Sequence, residues 1–259
     1  MAIKLNFIRI SFIGLIFFAF CANPDKKEIE DLLRIYQASV NNGDAIKFLS
    51  CLERPSSFLG ISPELGEQRI KSELSQSLKP SLKIISQEIK LNSKSAEVKQ
   101  EFLLEGIIFS KSRRYQEKEE LILKKTASGW KIVSGSAVYI ILAGRPLEED
   151  AIKDVLKKRV EALRDKDLER FKGIILKEYN FQGKNYDAII SEMRTNFQDY
   201  EKIELELDSP EIKFSEDKAE VVEGFQLKAI YKGEVLEFKD KERLEFTKTT
   251  QGWKISKGL

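Results

Sequence analysis

Few residues in this chain are suited to catalysis or metal binding. The 259 residues include no histidine, so the commonest general base and the commonest metal ligand are both absent. Cys51 lies in an apolar helical stretch, and no histidine can activate its thiol, so we interpret it as a small core residue. Asp44 and Asp167 could be catalytic carboxylates, but each lies at a helix junction, where its first role is to cap the helix. No closed loop of clustered carboxylates is visible, so neither a metal site nor a cofactor is predicted.

Two tryptophans stand in one recurring motif, Gly129-Trp130-Lys131-Ile132 and Gly252-Trp253-Lys254-Ile255. An indole on a strand could stack on a ligand, but one that recurs in the same place is typical of a core. Acidic runs at 117–120 and 240–243 contain interspersed Lys and Arg residues, a pattern that favours a solvated sheet face.

The two motifs are 123 residues apart, and the same spacing relates positions along the whole chain. Ala96-Glu97-Val98 recurs as Ala219-Glu220-Val221, and Asp44 recurs as Asp167, without any gap. The chain is therefore predicted to be one unit written twice. We place a leader at 1–23, the first domain at 24–146 and the second domain at 147–259.

Each unit is predicted to have helices first and antiparallel strands afterwards, which is an α+β arrangement with helices on one face of a curved sheet. In the first unit the patterns predict helices at about 29–40, 45–52 and 63–78 and strands at 83–91, 98–104, 115–124 and 130–133. In the second unit they predict helices at 152–163 and 186–197 and strands at 203–214, 219–231, 235–246 and 253–255.

The leader has the pattern of an export signal. Lys4 and Arg9 precede an apolar run from Ile10 to Phe20, and Cys21 follows directly. A Cys at this place resembles a bacterial lipobox, which implies acylation of Cys21 and anchoring to a membrane of the cell envelope, on its periplasmic or surface side. The alternative is an uncleaved signal anchor, because Phe20 stands where a small residue is usual.

The charges differ in sign between the two units. Residues 24–146 have 20 Lys and Arg against 16 Asp and Glu, and residues 147–259 have 22 against 26. Opposite signs favour docking of the two units on each other as an intramolecular pseudo-dimer. No basic run is interleaved with aromatic residues, so nucleic acid is not predicted as a partner.

The segment from Tyr36 to Asp44, the helix order and the closing Gly-Trp-Lys-Ile strand resemble the NTF2-like (SnoaL-like, cystatin-like) superfamily, over nearly all of both units. The resemblance implies a cone in which the sheet wraps the long helix and leaves a pocket at its open end. It also implies dimerisation across the sheet. The residues it suggests as facing the pocket are Tyr36, Phe58, Phe102, Tyr115 and Trp130.

The superfamily includes a ketosteroid isomerase that uses a Tyr and two acids. Tyr36 aligns with that Tyr, but Arg159 replaces it in the second unit, and the expected base region has no acid beyond Glu53. The buried acid expected on a later strand also lacks a match, so no catalytic residues are predicted.

The leading hypothesis is a lipid-anchored, non-enzymatic envelope protein that binds a small apolar ligand or a protein partner. One alternative is a SnoaL-like isomerase or hydrolase, which requires Tyr36 and Glu53 to share a cavity. Another is a structural assembly module whose cones are filled.

Overall fold

The computed structural model describes residues 23–53, 61–76 and 78–259, so the predictions for Cys21 and Phe58 lie outside the described residues. The first half contains helices α1 (Pro24–Asn42), α2 (Ala45–Ser50) and α3 (Pro63–Leu74), strands β1 (Ser81–Leu91), β2 (Ser95–Ile108), β3 (Lys111–Thr126) and β4 (Gly129–Ser134), and helix α4 (Ala137–Ala143).

The second half has the same general order, with helices first and a sheet afterwards. It contains helices α5 (Arg145–Arg164) and α6 (Leu168–Ile174), the short strands β5 (Asn180–Phe181) and β6 (Lys184–Asn185), helix α7 (Tyr186–Asp199), and strands β7 (Tyr200–Leu207), β8 (Glu211–Ser215), β9 (Lys218–Tyr231), β10 (Glu234–Thr249) and β11 (Gly252–Lys257).

Each half forms its own antiparallel sheet and its own core. The first sheet has the order β1-β2-β3-β4, and the second has the order β11-β10-β9-β7 with β8 also paired to β9. The buried apolar residues form two clusters, one from Ile29 to Ala143 and one from Ile152 to Ile255. The predicted α+β fold class, with helices packed on a curved antiparallel sheet, is confirmed.

The strand registers repeat with the same 123-residue spacing as the sequence. Ile84 lies opposite Phe102 in the first sheet, and Leu207 lies opposite Phe225 in the second. A register shift follows Ile84, and at the equivalent place the second sheet is interrupted between β7 and β8. The single strand predicted at 203–214 is therefore wrong. Pro210 lies in the interruption, where it has no backbone N–H to contribute to a ladder.

The caps predicted at the two aspartates are confirmed. The Asp44 carboxylate accepts a hydrogen bond from the Lys47 backbone N–H at 3.0 Å, and the Asp167 carboxylate accepts one from the Arg170 N–H at 2.9 Å. Before Asp44, Gly43 ends α1 in the left-handed conformation, with φ of 71°.

The two indoles lie in matching environments. Trp130 Nε1 donates to Asp25 at 3.2 Å, and Trp253 Nε1 donates to Glu148 at 2.8 Å. Both acceptors belong to the beginning of a long helix, so each indole ties the last strand of its sheet to that helix. The tryptophans are buried, which agrees with a core role for both.

Helix α4 was not predicted. The Ser136 hydroxyl caps its first turn by accepting from the Tyr139 N–H at 3.0 Å, and Gly144 follows its last residue. Its signal in the sequence is a serine, seven mostly apolar residues and a glycine, a run too short to show helical periodicity.

The part of the chain that the structure describes contains no helix with both the length and the apolarity needed to cross a membrane.

Candidate functional site

Helix α4 occupies the cone of the first unit. Tyr36 Oη and Ser136 Oγ share a buried hydrogen bond of 2.6 Å, and the Glu119 carboxylate accepts one from the Ala137 N–H at 2.7 Å. Gly66 of α3 allows the close approach, because a Cβ there would lie 2.8 Å from the Tyr139 hydroxyl. The apolar residues of α4 are part of the first core.

Three predicted pocket residues, Tyr36, Phe102 and Trp130, are buried in this core. Tyr115 is half-buried, and the Arg145 guanidinium lies 5.1 Å from the centre of its ring. Burial, together with the nearby Glu149 carboxylate, raises the pKa of Tyr115 to about 12. A ligand-binding role for these residues stays a prediction, and for Tyr36 it would require α4 to move.

The pairing of Tyr36 with Glu53 in one cavity is wrong, because Glu53 is exposed whereas Tyr36 is 1% exposed. The acid near Tyr36 is instead Glu119. Its carboxyl is buried and points towards the helices, so the prediction that residues 117–120 form only a solvated face is also wrong. Burial raises the pKa of Glu119, and burial together with the Glu119 charge raises the pKa of Tyr36.

Cys51 is buried, as predicted for a core residue. Burial raises the pKa of its thiol to about 11, so the thiol is protonated near neutral pH and is a poor nucleophile.

The second unit has an open cavity of about 390 Å³ in its cone. The wall consists mainly of apolar side chains from α7 and the inner face of the sheet, including Ile189, Met193, Ile203, Leu205, Phe225, Leu227 and Ala229. Among the described residues of the second unit, no helix equivalent to α4 fills this space. Ile189 stands where the first unit has Gly66, and Leu259 stands where it has Ser136.

Polar side chains also line this cavity, among them the Arg159–Glu242 and Lys184–Glu192 ion pairs. Arg159 of α5 binds Glu242 of β10 through two hydrogen bonds, Nη1 to Oε1 at 2.5 Å and Nη2 to Oε2 at 3.0 Å. Both side chains are mostly buried, at 10% and 12% exposed. A bidentate pair of this kind holds the two groups rigidly and cancels their charges, while leaving guanidinium N–H groups for a ligand acceptor.

Glu223 lies directly opposite Glu242 in the sheet. It is 3% exposed, and neither of its carboxyl oxygens has a hydrogen-bond partner among the described residues. Burial and the neighbouring Glu242 charge raise the pKa of Glu223 to about 7.

In the first unit, the residue at the equivalent position is Gln100, and its side chain has hydrogen-bond partners. Gln100 Nε2 donates to Glu119 at 2.6 Å, and Gln100 Oε1 accepts from Gln87 at 2.7 Å. In the second unit Gln100 is replaced by Glu223 and Gln87 by Pro210. The exchange introduces an acid and removes the side chain that would have bound it.

Arg159, Glu242 and Glu223 were not among the predicted site residues. For Glu223 a signal was present in the sequence, because Gln100 occupies the equivalent strand position of the first unit and the change introduces an acid. Within residues 23–53, 61–76 and 78–259, no three acidic or cysteine side chains are grouped so that they could hold a metal ion.

No protein-family model matches the chain. No curated protein matches it either. Among solved structures, the chain is similar to an NTF2-like superfamily protein from Salmonella enterica serovar Typhimurium, with 17% identity, a TM-score of 0.41, and coverage of 44% of this chain and 89% of that chain. It is also similar to a conserved protein from Planctomyces limnophilus (22% identity, TM-score 0.40, covering 43% of this chain and 93% of that chain). A further similar structure is a type 2 hexachlorocyclohexane dehydrochlorinase, LinA, with 15% identity, a TM-score of 0.40, and coverage of 44% of this chain and 84% of that chain.

Proposed function

We propose that this protein is a lipid-anchored envelope protein of tandem NTF2-like units, in which the second unit binds a small, mainly apolar ligand. The observation that carries the proposal is the open cavity of about 390 Å³, whose walls are mainly apolar and include the Arg159–Glu242 pair. A concave, mostly apolar site with a few convergent polar groups is the usual form of a small-molecule site. The Arg159–Glu242 pair would orient the ligand through an acceptor group.

The first unit, in this proposal, has a supporting role. Its cone holds α4, and the polar groups that meet α4 are bonded to it, as in the Tyr36–Ser136 and Glu119–Ala137 contacts. This favours the filled-cone hypothesis for the first unit alone. The two units would then form an internal pseudo-dimer with unequal roles, one binding and one structural.

The anchoring part of the proposal depends on Cys21, at the end of the apolar leader. Native mass spectrometry of protein purified from its own membrane tests both parts. We expect an acyl mass on the mature N-terminal Cys21 and a retained small molecule. A Cys21→Ser variant should lose the acyl mass and its membrane association, and an unmodified Cys21 in the wild type would contradict anchoring.

A binding experiment tests the cavity itself. The neutral fluorescent probe N-phenyl-1-naphthylamine should bind the wild type, and Ala229→Phe should weaken binding at least tenfold, because Ala229 lines the cavity and the larger ring would fill it. The matched control is Ala127→Phe, which makes the same change at an exposed turn of the first unit. Equal binding by both variants would overturn the proposal.

A further inference from the structure

The second unit has another concavity, between α5 and the interruption that separates β7 from β8. It has a volume of about 550 Å³, and we name it the α5 groove. Its lining includes the apolar residues Leu156, Val160, Leu205, Leu207 and Pro210, together with Glu223. It shares Leu205 with the cone cavity, but Glu223 lines the groove whereas Arg159 and Glu242 line the cavity.

Glu223 is the feature of the α5 groove that requires an explanation. A buried carboxyl group without a hydrogen-bond partner costs the full desolvation of that group. The first unit shows that the fold can satisfy this position, because Gln87 and Glu119 both bond Gln100. The second unit has lost that arrangement, and no side chain of the described residues bonds Glu223 in its place.

The surrounding charges indicate which ligand group would suit Glu223. Arg159 from α5 is already paired with Glu242 from β10, so this pair adds little net charge. Asp208, which follows β7, and Glu206 of β7 add negative charge on the strand side. Lys153 and Lys157 of α5 lie at the rim, and Lys157 is 3.8 Å from Glu161.

We propose that the α5 groove is a second binding site, in which Glu223 receives the ammonium group of a primary amine carried on a short apolar body. The ammonium would donate to the unpartnered carboxyl oxygens, and the apolar body would contact Leu156, Leu205 and Leu207. An anionic ligand would meet the Glu206, Asp208 and Glu223 carboxylates, and Lys157 is already paired with Glu161. The site uses Glu223, which does not line the cone cavity, so the proposal does not depend on the proposed cone site.

Isothermal titration calorimetry with the full chain in detergent tests the proposal, using 2-phenylethylamine as the probe and 2-phenylethanol as its neutral analogue. We expect the amine to bind at least tenfold more tightly than the alcohol at pH 7.5. Glu223→Gln should weaken amine binding at least tenfold, because a charge-assisted hydrogen bond is lost, and should leave alcohol binding unchanged. Gln at this position is compatible with the fold, as Gln100 shows in the first unit.

A second variant tests the same site in the opposite way. Pro210→Gln restores the side chain that the first unit has at this position, so its amide should hydrogen-bond the Glu223 carboxyl and weaken amine binding.

Amine binding should also release a proton, because a cation favours the ionised form of Glu223. The measured heat should therefore differ between phosphate and Tris buffers.

Three results would overturn the proposal. They are equal affinities for the amine and the alcohol, amine binding that is unchanged by Glu223→Gln, and no amine binding at millimolar concentration. Ala229→Phe serves as the control for the other site, since filling the cone cavity should leave amine binding unchanged. Conversely, Glu223→Gln should leave binding of N-phenyl-1-naphthylamine unchanged, so the two proposals fail separately.

Discussion

For single residues, the 123-residue repeat provides its own comparison, because residues 24–136 each have a counterpart among residues 147–259. Some counterparts that agree serve folding. The Trp130–Asp25 and Trp253–Glu148 hydrogen bonds are an example. Where they differ in polarity, as at Gln100 and Glu223, the surroundings differ as well, and these positions carry the functional proposals.

Glu223 should make the second unit less stable as the pH rises. Its folded pKa of about 7 is above the ordinary value of 4.5, so the folded state keeps a proton that the unfolded state has released. The stability associated with this proton is fully present below about pH 4.5 and is lost as the pH rises through 7, a change of about 3 kcal/mol. The charged groups that determine this pKa are Glu242, Arg159 and Asp208.

The Glu223→Gln variant removes this titration. We expect it to unfold at higher urea concentration than the wild type at pH 8 and to match the wild type at low pH. Trp253 fluorescence in a Trp130→Phe background reports on the second unit, since the chain has only these two tryptophans. A constant difference between the variant and the wild type from pH 5 to pH 8 would contradict the expected titration.

At the scale of elements, caps and turns could be predicted from the sequence because they depend on a few neighbouring residues. The Asn42-Gly43-Asp44 segment predicted the end of α1 and the beginning of α2. Helix α4 could not be predicted in this way. Its helical state depends on the space that it fills between α3 and the sheet, and on Glu119 and Tyr36, which are distant in the sequence.

Gly43→Ala should destabilise the first unit for two reasons. Its φ of 71° disfavours a side chain, and a Cβ would lie 2.3 Å from the Leu74 carbonyl oxygen. We expect a loss of about 2–4 kcal/mol in the free energy of unfolding. The control is Gly233→Ala, where φ is 79° and no atom lies within 4 Å, so only about 1 kcal/mol should be lost. Equal losses in urea unfolding would show that the contact with Leu74 is unimportant.

Leu142→Ala tests whether α4 is a structural part of the first core. Leu142 is fully buried, so truncation should reduce the free energy of unfolding by about 2–5 kcal/mol. Ile46→Ala, at a residue that is 77% exposed, should change it by less than about 0.5 kcal/mol. Unfolding followed by Trp130 fluorescence in a Trp253→Phe background measures both. A small effect of Leu142→Ala would mean that α4 packs only loosely in the cone.

At the scale of the whole molecule, ion pairs between β3 and the beginning of α5 join the two units. Arg113 of β3 donates to Asp150 of α5 at 2.7 Å, and Lys111 reaches the same carboxylate at 2.7 Å. Arg145 pairs with Glu117 in the same region. These ion pairs agree with the opposite net charges of the two halves. They also connect the first unit to α5, the helix that contains Arg159.

The Arg113–Asp150 pair should contribute measurably to stability. Arg113 is only 11% exposed, so solvent screens the pair less than it screens a surface pair. A double-mutant cycle with Arg113→Ala and Asp150→Ala should give a coupling free energy of about 1–2 kcal/mol. The Lys213–Glu211 pair, in which both side chains are 67% exposed, should give a value near zero. Equal coupling in the two cycles would mean that burial of Arg113 does not strengthen its pair.

The two-fold repeat, the helix-then-sheet order and the helix caps could be predicted from the sequence, because spacing, apolar periodicity and capping residues are local properties. The structure then showed which cone is filled and which is open. It also showed that Glu119 and Glu242 point inward, where alternating charge had predicted a solvated face. The physical reason is that burial of a strand residue depends on what packs against the sheet. In the first unit, α4 packs over Glu119 and bonds its carboxylate. In the second unit, Arg159 of α5 pairs with Glu242 beside an open cavity.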